Sequence, residues 1–225
     1  MASSTTEIAN LALGHLGIGK DIANLDTESS QEAKAMRRYY DICRRTVLQE
    51  FTWPFATKFV TLGLVEEDPT DAEEWAFSYR YPADCLLLRR LPSGLRTDNR
   101  QSRVAYKISQ DASGLLIFTD QEDAQAEYTV DVTNVSRFSD SFVLALTYLL
   151  AGKAGSSIMG GDRFKLADRA LLLHDAQIRT AHAVARNEEQ PDEEPDAEFI
   201  RVRDGTTDQT NRDDFTSHPS GFSVS

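Results

Sequence analysis

The sequence predicts an α+β fold, mainly α, in which a four-helix core carries an inserted small antiparallel β-sheet and ends in a long extended C-terminal tail. Three observations predict it. Apolar residues recur at steps of three and four in four segments, two before residue 52 and two after residue 138. Between them lie short runs rich in Val, Ile, Tyr and Phe, separated by polar or Gly/Pro/Asp stretches. From Asn187 the last 39 positions hold eleven acids, three arginines and only seven apolar residues. The expected organisation is 1–56 as N-terminal core helices, 57–135 as the β insertion, 136–187 as C-terminal core helices and 188–225 as an acidic flexible tail.

Ser4 and Glu7 stand at capping-box spacing, so a helix should open there. Ile8, Leu11, Ala12 and Leu16 fall on one face, and Gly17-Ile18-Gly19 supplies the glycine that a helix end favours. A second box, Ser29 with Glu32, begins a longer helix with an apolar stripe of Ala33, Met36, Tyr40, Cys43, Val47 and Phe51. Trp53-Pro54 breaks it. Its other face is read as carrying Arg37, Arg38, Arg44 and Arg45. Strand texture follows in TKFVTLGLV, WAFSYRY, CLLLRRL, RVAYKIS, GLLIFT and AEYTVDV. Helical periodicity returns over 139–158, then after Gly160-Gly161 with Asp162 as N-cap and Leu166, Ala170, Leu173, Ala181 and Val184 as the repeat. The apolar run Phe142 to Gly152 is too short for the roughly 20 residues of a bilayer crossing and reads as a buried helix. No membrane partner is expected.

The chain has 24 Lys+Arg against 36 Asp+Glu, a net charge of -12 over 225 residues. Much of the excess sits in the tail, and the preceding 186 residues hold 25 acids and 21 bases, near -4. Such a tail cannot offset its ordering entropy alone. Its apolar residues Phe199, Ile200, Val202, Phe215, Phe222 and Val224 fit a segment that orders on a partner. Cys43 and Cys85, each among apolar neighbours, suggest reduced core thiols rather than a disulfide framework. The start MASSTTEIAN has neither a basic n-region nor an apolar h-region.

A search for chemistry finds no phosphate-cradling GxxxxGK[ST], no GxGxxG, no GxSxG and no HExxH. His15, His174, His182 and His218 read as structural or surface residues, since His174 and His182 are two helical turns apart rather than the one turn of a metal pair. No catalytic residue, metal or cofactor is expected. The acidic loop 66–74 lacks the ligand spacing of a calcium loop and reads as a solvated hairpin tip. Arg89, Arg90, Arg96, Arg100 and Arg103 cluster near a turn and are candidates for phosphate or inter-subunit contact, as are the four arginines of the second helix.

The segment EIANLALGHLGIGKDIANLDTESSQEAKAMRRYYDICRRTVLQEFTWPFATKFVTL resembles the opening of phage head-to-tail adaptor proteins, the tail tubular protein A-like or head-completion group. The likeness rests on a short helix ending in LG, an I-x-x-L turn, a helix with Ala and Tyr, and a WxFA step into the first strand. Farther on, YRYPADCLLLRRL and FSDSFVLALTYLLAGKAGSSIMG resemble the family's strand and return helix, so the likeness spans 7 to about 186. It implies a non-enzymatic virion protein, a dodecameric ring under the portal at the head-tail junction, assembled in the host cytoplasm. Implied partners are the portal protein, which the tail would dock, the tail tube or nozzle protein, and further copies of itself. Genomic DNA would pass without sequence-specific contact. Two other readings are weighed on the residues alone. One is a virion-associated cell-wall or glycan hydrolase using carboxylates such as Glu66 and Glu73; the other is a small DNA-binding regulator using the arginine cluster.

Overall fold

The computed structural model describes residues 4–69, 74–94, 103–160 and 165–188. It is an α+β fold, mainly α, with four helices and two small antiparallel sheets inserted between the second helix and the third. Helix α1 is Thr5–His15, α2 Gln31–Glu50, α3 Asp140–Met159 and α4 Leu166–Glu188. The strands are β1 Thr57–Thr61, β2 Leu64–Glu67, β3 Phe77–Arg80, β4 Cys85–Arg90, β5 Lys107–Asp111, β6 Gly114–Thr119 and β7 Gln125–Val130.

Ser4 caps α1 as expected, its Oγ accepting from the Glu7 amide at 3.1 Å. The second cap lies one residue later than the spacing suggests: Ser30, not Ser29, accepts from the Ala33 amide. Between these helices, Asn10 holds the Ile22 backbone by two bonds, through Nδ2 to its carbonyl and from its amide to Oδ1. Leu25 N–H donates to Thr6 Oγ1. The I-x-x-L turn is thus fastened to α1 by the Asn10 and Thr6 side chains. Gly17, at φ +70°, supplies the left-handed residue after that helix.

Helix α3 lies at the centre and packs on α1, α2 and α4. Phe142, Ala145, Leu146, Leu150, Ala151 and Ala154 are fully buried on it. It is long and apolar enough to cross a membrane by composition, yet more than half of that apolar window is buried inside the protein. Two glycines set its helix spacing. A Cβ on Gly155 would lie 2.9 Å from Leu16 Cδ2 and 3.0 Å from Ala167 Cβ, and one on Gly152 would meet the Leu171 side chain. Two inner faces depart from the expected stripes. On α4 the inner face is Ala167, Ala170, His174 and Ala181, while Leu173 and Val184 are exposed. On α1 the inner face is Ile8, Ala9, Ala12, Leu13 and Leu16, and Leu11 points outward. On α4 close approach selects alanine, so Leu173 and Val184 turn away.

The insertion is two sheets rather than one. Sheet one has the order β1-β7-β4 and sheet two β2-β3-β6-β5, all neighbours antiparallel. The run TKFVTLGLV divides at Leu62-Gly63: the Leu62 amide bonds the Ala124 carbonyl beside β7, and the Gly63 carbonyl accepts from the Arg80 amide of β3. Leu62, Tyr79, Leu88, Leu91, Ile117, Ala124, Ala126 and Tyr128 form a second apolar core there. Trp53-Pro54 ends α2 as read, and a 3-10 turn, Pro54–Ala56, steps into β1. Trp53 Nε1 donates to the Val47 carbonyl at 2.8 Å, and its ring meets Phe51 and Phe142 edge-on.

A valine at Gly155 should therefore overpack the α1–α3–α4 contact and cost about 1–3 kcal/mol, read as a lowered denaturant midpoint. Alanine at the exposed Gly14, where nothing lies within 4 Å of the added Cβ, should instead raise stability by about 0.5–1 kcal/mol.

Candidate functional site

The arginines singled out from sequence divide on inspection of their partners. Arg44 is buried rather than on the outer face of α2: it binds the Asp131 carboxylate and donates to the Val132 carbonyl at 2.7 Å. Arg45 reaches the same carboxylate at 3.1 Å. Burial alone would raise the Asp131 pKa, but its bond to Arg44 and the charges of Arg44 and Arg45 hold it below the ordinary carboxylate value. This cluster ties α2 to the chain leaving β7. Arg37 donates to the Leu25 and Glu28 carbonyls and closes the loop before α2.

Arg89 sits at the far end of the same helix. Its guanidinium donates to the Leu48 and Phe51 carbonyls and to Thr129 Oγ1, at 3.0, 2.8 and 2.8 Å. A cation there satisfies carbonyls left open at a helix C-terminus. Arg90 pairs with Glu127 on β7. Arg103 also has a partner. Arg38 is exposed on α2, with no hydrogen-bond partner among the described residues. Arg96 and Arg100 lie outside the described residues, as do the tail anchors Phe199, Ile200, Val202, Phe215, Phe222 and Val224, together with Glu73, Asp162 and His218.

The remaining residues of interest fall into two places. Cys43 is buried in the helical core, where burial pushes its thiol up to about 12. His174 is enclosed between helices, with Nδ1 2.9 Å from the Ala145 carbonyl and Nε2 2.8 Å from Glu50 Oε2. Both ring nitrogens face acceptors, so the imidazolium fits the site. Burial opposes that charge, yet the Glu50 and Ala145 bonds prevail and hold the pKa above its ordinary value. His15, against Tyr148 and Thr147, is lowered by burial instead. His182 stacks edge-on against Phe51.

The second place is an open cleft of about 640 Å³ where the two sheets meet, lined by residues of β1, β3, β4, β6 and β7. Lys58 Nζ and Tyr128 Oη both donate to Asp84, each at 2.8 Å. Arg80 holds Asp111 by two parallel bonds of 3.0 and 3.1 Å. Cys85 lies 3.1 Å from the Tyr81 hydroxyl. The Lys58 bond lowers the Asp84 pKa, the same bond raises that of Lys58, and burial raises those of Tyr128, Tyr81 and Cys85. Every one of these shifts leads away from neutrality. A general acid or base works best near the operating pH, and this cleft offers instead charges paired within each sheet, Lys58 with Asp84 on sheet one and Arg80 with Asp111 on sheet two.

Sequence reading missed the cleft because its polar members, Lys58, Arg80, Asp84 and Tyr128, come from three strands and the turn into a fourth, with no common spacing. Glu66, offered as one carboxylate of a catalytic pair, is exposed on β2. Among the described residues no group of three or more His, Cys, Asp or Glu is placed to hold a metal ion. Set against known proteins, the chain matches no family model and no curated sequence.

Two outcomes follow for stability. Arg44→Met leaves the part-exposed Asp131 carboxylate with Arg45 alone and frees the Val132 carbonyl, and should cost about 1–3 kcal/mol in chemical denaturation. The raised pKa of His174 contributes stability that is complete below 6.5 and fades as pH climbs through the folded-state value. The lowered pKa of His15 has the opposite sign, and costs stability as pH falls below 6.5. Melting temperature against pH should therefore lose its alkaline decline in His174→Gln and its mildly acidic decline in His15→Gln.

Proposed function

We propose that the chain is a structural virion protein, a head-to-tail adaptor. Copies form a ring, a dodecamer in the family it resembles, seated beneath the portal at the head-tail junction. The ring extends the channel for DNA ejection and offers a platform for the tail tube or nozzle. One observation carries the reading: the segments behind the resemblance occupy the joints of the fold. Leu16-Gly17 ends α1, and Ile22 with Leu25 makes the turn pinned to it. Trp53–Ala56 delivers α2 to β1, Pro82–Cys85 turns into β4, and the Phe/Ala/Leu-rich segment is the enclosed helix α3. At such joints backbone geometry dictates the residue, so a pattern shared there supports a shared chain path.

The charge distribution is in keeping with this role. A passage for DNA works best when it does not grip phosphates, since each neutralised phosphate adds affinity. The chain carries a net -12, and most of the described candidate arginines are bound to the protein's own carbonyls and carboxylates. In this reading the acidic segment after Asn187 is the portal-docking arm, with Phe199, Ile200, Val202, Phe215, Phe222 and Val224 as anchors. The protein is non-enzymatic and assembles in the host cytoplasm.

Light scattering on a sizing column, with the full chain alone and mixed with the portal protein of the same gene cluster, tests the assignment. A complex holding many copies per portal ring is expected; a monomer indifferent to portal overturns it. A chain truncated after Asn187 should keep its melting transition and fail to join the portal, whereas normal assembly by that form removes the docking role of the tail.

A further inference from the structure

Sheet two ends in two strands that pair on one side only among the described residues, β2 at one edge and β5 at the other. Both are solvent-facing along nearly their whole length. Edge strands of this kind are open templates for another strand. The residues at these two edges are matched row by row. One row across the sheet reads Ile108–Ile117–Tyr79–Leu64. Its middle members are buried, while Ile108 and Leu64 at its ends are 45% and 51% exposed. The bulge at Val65 brings Glu66 rather than Val65 opposite Ser78, so the next row reads Lys107–Phe118–Ser78–Glu66. It ends in a cation on β5 and an anion on β2. Apolar thus stands across from apolar, and positive across from negative.

Strand direction adds a second, independent constraint. The four strands alternate in direction, so β2 and β5 run opposite ways. A copy displaced along the sheet without inversion therefore brings its β5 antiparallel to β2 of the first. In the same rows Leu64 then faces Ile108 and Glu66 faces Lys107, pairs of the kind that stabilise neighbouring strands. A twofold β2–β2 contact would instead bring the carboxylates of Glu66 and Glu67 together. The competing internal partner of Lys107 is Glu74 at 3.0 Å, an exposed pair that exchanges at little cost. Asp111 at the other end of β5 is held by Arg80 and stays out of the contact.

We infer that the occupant of the β2 edge is the β5 edge of a second copy of this chain, joined head to tail by strand addition. Contacts of this heterologous type close into a ring when the rotation per step allows. The inference rests on the ring reading above and names the surface that builds it.

Two sets of variants of the full chain, alone and with portal protein, test it. Leu64→Cys/Ile108→Cys in a Cys85→Ser background, treated with a short thiol-to-thiol crosslinker, should give a ladder of covalent oligomers, and each single cysteine should give none. Glu66→Lys and Lys107→Glu should each weaken self-association about five- to tenfold, and the two together should restore it. Dimers from either single cysteine overturn head-to-tail pairing. A multi-copy assembly by light scattering without a ladder, and indifferent to the charge reversals, overturns the β2–β5 contact and leaves the ring standing. A monomer under both conditions overturns both.

Discussion

Everything in the helical body depends on how closely α3 can be approached. The helix carries Phe142, Leu146 and Leu150 into the core, but Gly152 and Gly155 let α1 and α4 come near its last turns. Close packing of this kind gains dispersion contacts that a wider spacing forfeits. The same constraint sets the facing surfaces. Alanines at Ala167, Ala170 and Ala181 line the contact from α4, Leu171 lies against Gly152, and Leu172 and Leu173 are left outside.

A second constraint joins the insertion to that body. Sheets inserted into a helical core must leave and return at defined points, and here both crossings are held by arginines. Arg89 on β4 closes the C-terminal carbonyls of α2, and Arg44 on α2 takes hold of Asp131 and Val132 just beyond β7. A guanidinium suits this task because its planar fork meets carbonyls and carboxylates in fixed geometry, and its charge persists at any physiological pH. The aromatic group of Trp53, Phe55, Phe138 and Phe142 fills the space between those two crossings. Arginines that look in sequence like a surface for phosphate are, in large part, mortar between the two layers.

Other polar side chains are paired in the same way. In the inter-sheet cleft, Lys58, Asp84 and Tyr128 satisfy one another, and Arg80 satisfies Asp111. His174 is taken up by Glu50 and the Ala145 carbonyl. Strand edges remain at the margins of both sheets, β1 and β4 in sheet one and β2 and β5 in sheet two. Among the described residues the buried side-chain oxygens left without a hydrogen-bond partner are Tyr40 Oη and Gln121 Oε1, and the adaptor reading and the strand-addition contact proposed above draw on the sheet edges rather than on a polar site inside the fold.

The sequence by itself determined the order of elements, the α+β class, the Ser4 cap, the break at Trp53-Pro54 and the buried face of α2. Each of these follows from local spacing or from a residue whose backbone demands are local. It also marked Cys43 as a core thiol and the Phe142–Gly152 run as a buried helix. Only the tertiary structure decided that the insertion is two sheets, because the Leu62-Gly63 split depends on β7 and β3 competing for adjacent backbone groups. It alone decided which face of α4 is inner, since that depends on the glycines of α3. The fate of Arg44 and Arg89 was equally out of reach, because an arginine's partner is chosen across the fold and leaves no periodic trace. So was the placement of Glu66 and Lys107 in one row at opposite edges of four strands, a relation that exists only once register is set.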